Sequence, residues 1–191
     1  MEVTGWGARE VRIPPGLAGR VVVEATGGLI NPHFWLVADI ASKQGTREEK
    51  LFLLGGWPWQ KGRAQALIDL SVLRNIRIKA PEGSWVSRWK LTFRKSEEVE
   101  LVTAESRGTG SRILRTPDRP GSVTVKFGKA GGRLYQGISA DRRSDTEPLA
   151  GHYGPMTHTV EVAADSFLMV RNGSGDWGPM MPWTLHWTAS D

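Results

Sequence analysis

The chain has 191 residues, 39% of them hydrophobic and 24% charged, with a formal net charge of +5. That composition carries enough apolar mass for a packed core and excludes a disordered or collagen-like chain. With no cysteine, disulfide scaffolds, thiolate zinc sites, iron–sulfur clusters and cysteine nucleophiles are excluded together.

In chain order, period-two alternation between Gly, Pro, Asn and Ser punctuation predicts strands at Val11–Ile13, Arg20–Ala25, Phe34–Ala41, Lys50–Leu54, Ala66–Leu70, Asn75–Lys79 and Trp89–Phe93. The last shows the pattern most clearly. Trp89, Leu91 and Phe93 fall on one face, and Lys90, Thr92 and Arg94 on the other. No window of twelve or more residues holds a 3.6-residue period. The polar stretch 96–107 then interrupts the pattern, with a short strand possible at Val99–Val102.

Beyond it the features return in the same order. Gly5-Trp6-Gly7 recurs as Gly108-Thr109-Gly110, and Val21-Val22-Val23 as Val123-Thr124-Val125. Leu36–Asp39 matches Ile138–Asp141, Leu67–Leu70 matches Thr159–Val162, and Ile76 and Ile78 match Leu168 and Val170. Trp89–Phe93 closes the first copy as Trp183–Trp187 closes the second. A fixed order of features at long spacing is the signature of an internal duplication. About seven short strands per copy and no helix predict an all-β chain of two tandem antiparallel β-sandwich domains, at 1–95 and 108–191, joined by a linker at 96–107.

A module that opens with Gly-x-Gly, runs through a Pro-Gly turn into a valine strand, and ends in a Gly-x-Trp turn and a Trp-x-Leu-x-Phe strand resembles small β-sandwich modules of actinobacterial proteins of unassigned function. The resemblance covers both copies and implies the sandwich fold. It brings no catalytic motif, and the insertion Ser42–Arg63 departs from the compact pattern.

Nothing in the chain matches a nucleophile elbow, a phosphate loop or a zinc-ligand spacing, so we expect no enzymatic activity, no cofactor and no metal. Asp39 and Asp141 are expected to cap turns, since neither has the clustered oxygen ligands a calcium site needs. The N-terminus lacks a basic segment followed by an apolar run, so a cytoplasmic location is expected.

Nine tryptophans, against two tyrosines and five phenylalanines, are the unusual feature. Trp85, Trp89, Trp177, Trp183 and Trp187 recur at matched places and are expected to pack. Trp57 and Trp59 have no tryptophan counterpart. They lie with Arg63 in a Gly/Pro-bounded segment whose equivalent carries Tyr153, and a third such loop runs from Trp177 to Trp183. Exposed aromatics on such loops stack on sugars or bases, or anchor protein partners. Folded back, they would cap the core. Trp57, Trp59, Arg63, Tyr153, Trp177 and Trp183 are therefore the candidate contacts, with a protein partner or self-assembly as the leading expectation and carbohydrate as the alternative. A run of cations, Arg107, Arg112, Arg115, Arg119, Lys126, Lys129 and Arg133, is offset only by Asp118. It suggests a stripe for nucleic acid or an anionic membrane, or simply a solvated face.

Overall fold

The computed structural model describes the chain except residues 28–33, 43, 55–62, 81–87, 130, 137–147, 173–181 and 191. Among the described residues it is all β apart from one 3-10 turn, Ser96–Glu98. The chain divides into two compact units, the first formed by Met1–Glu98 and the second beginning at Val99.

The first unit has eight strands: β1 (Glu2–Trp6), β2 (Arg9–Val11), β3 (Arg20–Gly27), β4 (Phe34–Ser42), β5 (Gly45–Leu54), β6 (Arg63–Asp69), β7 (Leu73–Lys79) and β8 (Arg88–Lys95). They form two antiparallel sheets, ordered β1-β8-β3-β6 and β2-β7-β4-β5. The second unit repeats the plan with β9 (Ser106–Thr109), β10 (Arg112–Arg115), β11 (Gly121–Phe127), β12 (Gly132–Gln136), β13 (Ala150–His152), β14 (Met156–Val162), β15 (Phe167–Asn172) and β16 (Pro182–Ala189). Its sheets are ordered β9-β16-β11-β14 and β10-β15-β12-β13. Strand for strand the two orders are the same, so the repeat seen in the sequence is a repeat of topology.

Each unit buries the inward residues of both its sheets. In the first, Val21, Val23, Ala25, Leu91 and Phe93 meet Leu36, Ala38, Ile40, Ile76 and Ile78. In the second, Val123, Val125, Phe127 and Leu185 meet Leu114, Leu134, Leu168 and Val170. A large apolar side chain removed from water contributes on the order of 1.5–3 kcal/mol, so these stripes account for the fold.

The Gly-x-Gly motif has a specific job. Gly5 pairs with Trp89 and Gly108 with Trp183 across neighbouring strands. A Cβ at either glycine would lie 2.3 Å from the indole ring. The second glycine of each motif, Gly7 or Gly110, takes φ 70°, and its carbonyl accepts the indole N–H at 3.0 Å in one unit and 2.8 Å in the other. A bare backbone lets the ring lie flat on the edge strand, and the left-handed turn that follows, natural for glycine, brings the carbonyl round to it.

Those contacts fix the equivalence of the copies, and the strand registers carry it outward. Val23 corresponds to Val123 and Ala25 to Val125, two residues from the alignment expected above. Leu36 corresponds to Leu134, not Ile138. Two volume exchanges then appear. Gly27 and Phe34 stand where the second unit has Phe127 and Gly132, and Val21 and Phe93 stand where it has Gly121 and Trp187. In the first the sum is held while the bulk moves to the facing sheet, as dense packing demands; in the second the larger indole of Trp187 makes up only part of the volume that Gly121 gives up.

Three further expectations change. β1 and its counterpart β9 raise the count to eight strands per unit. Residues 99–107 are part of the second unit: Val102 sits in its core, Leu101 bridges Arg115, and the Val102 N–H donates to the Arg115 carbonyl at 2.8 Å. Asp39 lies within β4 and accepts from Arg77 at 2.5 Å, an ion pair in place of a turn cap. Asp141 lies outside the described residues.

Arg77 also bonds Glu48, which pairs in turn with Lys79. The Lys79 ammonium holds the Glu48 carboxyl below the usual range. The Ser71 hydroxyl, and after it the Ser71 backbone N–H, do the same for Asp69. A carboxylate with a depressed folded pKa stabilises the fold above its unfolded value and loses that contribution as pH falls through the folded one. We expect the denaturation midpoint to drop as pH is lowered from about 5 to 3. A Glu48→Gln/Asp69→Asn variant should show a shallower drop, and an equal drop would remove these two groups from the account.

Candidate binding surface

The predicted contact residues separate. Trp183 is 2% exposed and holds the indole contact with Gly108 and Gly110, so it is a core residue and not a contact. Parity explains the error, because Trp183 is the first inward position of β16 as well as the end of a loop. Trp57, Trp59 and Trp177 lie outside the described residues. Of Arg63 the structure describes only its place in β6. Tyr153 is 66% exposed and remains.

The cations do not form one stripe. Arg107 and Lys126 belong to the β9-β16-β11-β14 sheet, whereas Arg112, Arg115 and Arg133 belong to the other. Arg107 pairs with Glu105 at 2.5 Å and Arg112 with Glu100 at 2.6 Å. Arg119 and Lys129 are exposed residues outside the strands. From β9 to β12 successive strands alternate between the two sheets, which a linear reading of charge cannot register.

Around Tyr153 a surface is assembled from four segments. Arg133 on β12 pairs with Gly151 on β13, and a Cβ at Gly151 would lie 2.9 Å from Arg133 Cγ. The missing side chain lets the arginine stem lie across β13. Its guanidinium donates to the Tyr153 hydroxyl at 3.2 Å and lies 5.8 Å from the ring centroid. Neighbouring phenols, Tyr135 first and then Tyr153, raise the Arg133 pKa further, so it stays charged. Gly154, at φ 108°, turns the chain into Pro155 and β14. The tyrosine is thus exposed but fixed, which lowers the entropy lost on binding.

Beside this turn an open groove of about 490 Å³ runs between Pro148, Leu149, Ala150 and Gly151 on one side and Pro155, Met156, Thr157 and His158 on the other. Its origin lies in the repeat. Register equates Ala150 with Phe52, and Phe52 is in the first unit's core. Where the first unit closes this edge with a phenylalanine on a ten-residue β5, the second has an alanine on a three-residue β13.

Sequence reasoning missed Trp6, which is 62% exposed. Parity identifies it, because Gly5 faces inward against Trp89 and the next residue must point out. Among the described residues no group of three or more His, Asp or Glu could hold a metal, and no helix is long and apolar enough to cross a membrane. Glu24, buried on β3, is held by Gln65 at 2.7 Å and Arg94 at 3.5 Å. No protein-family model matches the chain, and no curated protein matches it in sequence.

Proposed function

We propose that the chain is a non-enzymatic binding and assembly protein that contacts a protein partner through the open edge of its second unit. The observation that carries this reading is Tyr153, an exposed aromatic held in place by Arg133 beside an open groove. Rigid tyrosines next to desolvated pockets are typical anchors of protein interfaces. Here Tyr153 supplies the anchor, Arg133 fixes its direction and offers a cation to an acidic group, and Leu149, Ala150 and Met156 receive an apolar side chain.

Tyr153→Ala should lower capture of a protein partner about tenfold to thirtyfold, the size of a hot-spot loss of about 1.4–2 kcal/mol, without moving the melting temperature. Ala150→Phe, which fills the groove as Phe52 fills its counterpart, should lower it as well. Capture unaffected by both would overturn the reading. The exposed ring equally supports a carbohydrate ligand, since a sugar face stacks on an aromatic. Saturable glycan binding lost in Tyr153→Ala, with no protein captured, would favour that alternative.

A further inference from the structure

A sheet edge exposes unpaired N–H and C=O groups, and proteins ordinarily blunt such edges by making them short, bulged, charged or covered. Among the described strands nearly every edge is treated in one of these ways. β2 and β13 have three residues, β9 and β10 four, and β1 five. β5 is long but carries Arg47, Glu48, Glu49 and Lys50 and faces a register shift at Leu36/Val37. β6 is buried from Ala64 to Ile68.

β14 is the exception. It runs seven residues, Met156-Thr157-His158-Thr159-Val160-Glu161-Val162, and pairs only with β11, without a register shift. Thr157, His158, Thr159 and Glu161 are exposed, and Glu161 is its single Asp, Glu, Lys or Arg.

We infer that β14 pairs with the β14 of a second copy, antiparallel about a two-fold axis at Thr159, joining two four-stranded sheets into one. The strand is self-complementary in that register. Met156 faces Val162, Thr157 faces Glu161, His158 faces Val160, and Thr159 faces itself. All seven residues pair, threonines meet threonines at the axis, and no like charges oppose.

Charge supports the same register. Lys126 lies beside Thr157 on β11, on the outward face; Lys126 and Glu161 are both exposed, and neither forms a salt bridge with another described residue. Pairing about Thr159 puts Glu161 of one copy on the far side of Thr157 from Lys126 of the other, twice along the interface. The two charges then stand two strands apart, roughly 10 Å by strand spacing, with a short threonine between them, within reach of their side chains. The paired segment shares Met156, Thr157 and His158 with one wall of the groove and leaves the Tyr153 turn outside it. The inference thus goes beyond the reading of Tyr153 and stands or falls separately from it.

Sedimentation of the full chain over a wide concentration range tests it. A reversible dimer is expected. Thr159→Lys, which sets two ammonium groups face to face at the axis, should weaken it at least tenfold. Glu161→Lys should weaken it too, and adding Lys126→Glu should restore it. Circular dichroism of each variant separates lost pairing from lost fold. A chain that stays monomeric, a dimer indifferent to Thr159→Lys, or a charge exchange that fails to restore dimerisation would overturn the proposal. Capture by Tyr153 has its own variants, so either idea can fail alone.

Discussion

Trp183→Ala is expected to cost about 3–5 kcal/mol of folding stability, the range for deleting a large buried aromatic. The ring is 2% exposed, and no neighbouring strand can move in to fill the space without breaking the pairing of Gly108 with position 183. Its loss also leaves the Gly110 carbonyl without the indole donor it holds at 2.8 Å. Gly108→Ala reaches the same contact from the opposite side, because its methyl would lie 2.3 Å from the ring. Either the indole leaves its rotamer or β9 leaves the sheet, and overpacking of that kind costs about 1–3 kcal/mol. Gly110→Ala should cost about 1–2 kcal/mol, for an L-residue held at positive φ. Denaturant titration measures all three. A loss under about 1 kcal/mol for Trp183→Ala would mean that the indole is not the support described. Trp89, Gly5 and Gly7 should repeat the hierarchy in the first unit.

Exchanging Phe127 and Gly132 for their first-unit counterparts should behave non-additively. Phe127→Gly alone empties a fully buried site and is expected to cost about 4 kcal/mol. Gly132→Phe alone is expected to be worse than ordinary overpacking, since a Cβ there would lie 2.4 Å from the Phe127 ring. The double variant recreates the Gly27/Phe34 arrangement and should recover at least half of the summed loss. It cannot recover all of it, because the Arg171 carbonyl lies 2.9 Å from the same Cβ. Recovery of this kind is the coupling expected of residues sharing one volume. Strictly additive losses would contradict the volume exchange and, with it, the equivalence of the two cores.

The all-β class, the two copies and most strands were legible because alternation needs only local sequence. Alignment of the copies was less so. Sliding Val21–Val23 by two residues against the second copy preserves every inward position, so a period-two pattern cannot detect the slip. Only contacts across strands, such as Gly108 under Trp183, pin it. β1 went unread because its inward positions are Val3 and Gly5, and glycine carries no hydropathy signal.

The candidate site divides in the same way. Tyr153 was accessible, since a tyrosine followed directly by Gly154 and Pro155 sits in a turn and has few places to pack. The groove beside it was not, because it results from Ala150 standing where Phe52 stands, an equivalence that passes through three strands. The free edge of β14 was equally hidden: seven alternating residues describe a strand, and its neighbours are set by topology.

Hydrogen exchange of the full chain, followed by mass spectrometry at dilute and at high protein concentration, tests most directly whether β14, the free edge of its sheet in the second unit, pairs with a second copy. The account predicts that peptides spanning Met156–Val162 gain protection as concentration rises, while Glu2–Trp6 and the two core tryptophan strands stay unchanged. Exchange at Met156–Val162 that ignores concentration, or protection that appears instead on β1 around Trp6, would contradict it.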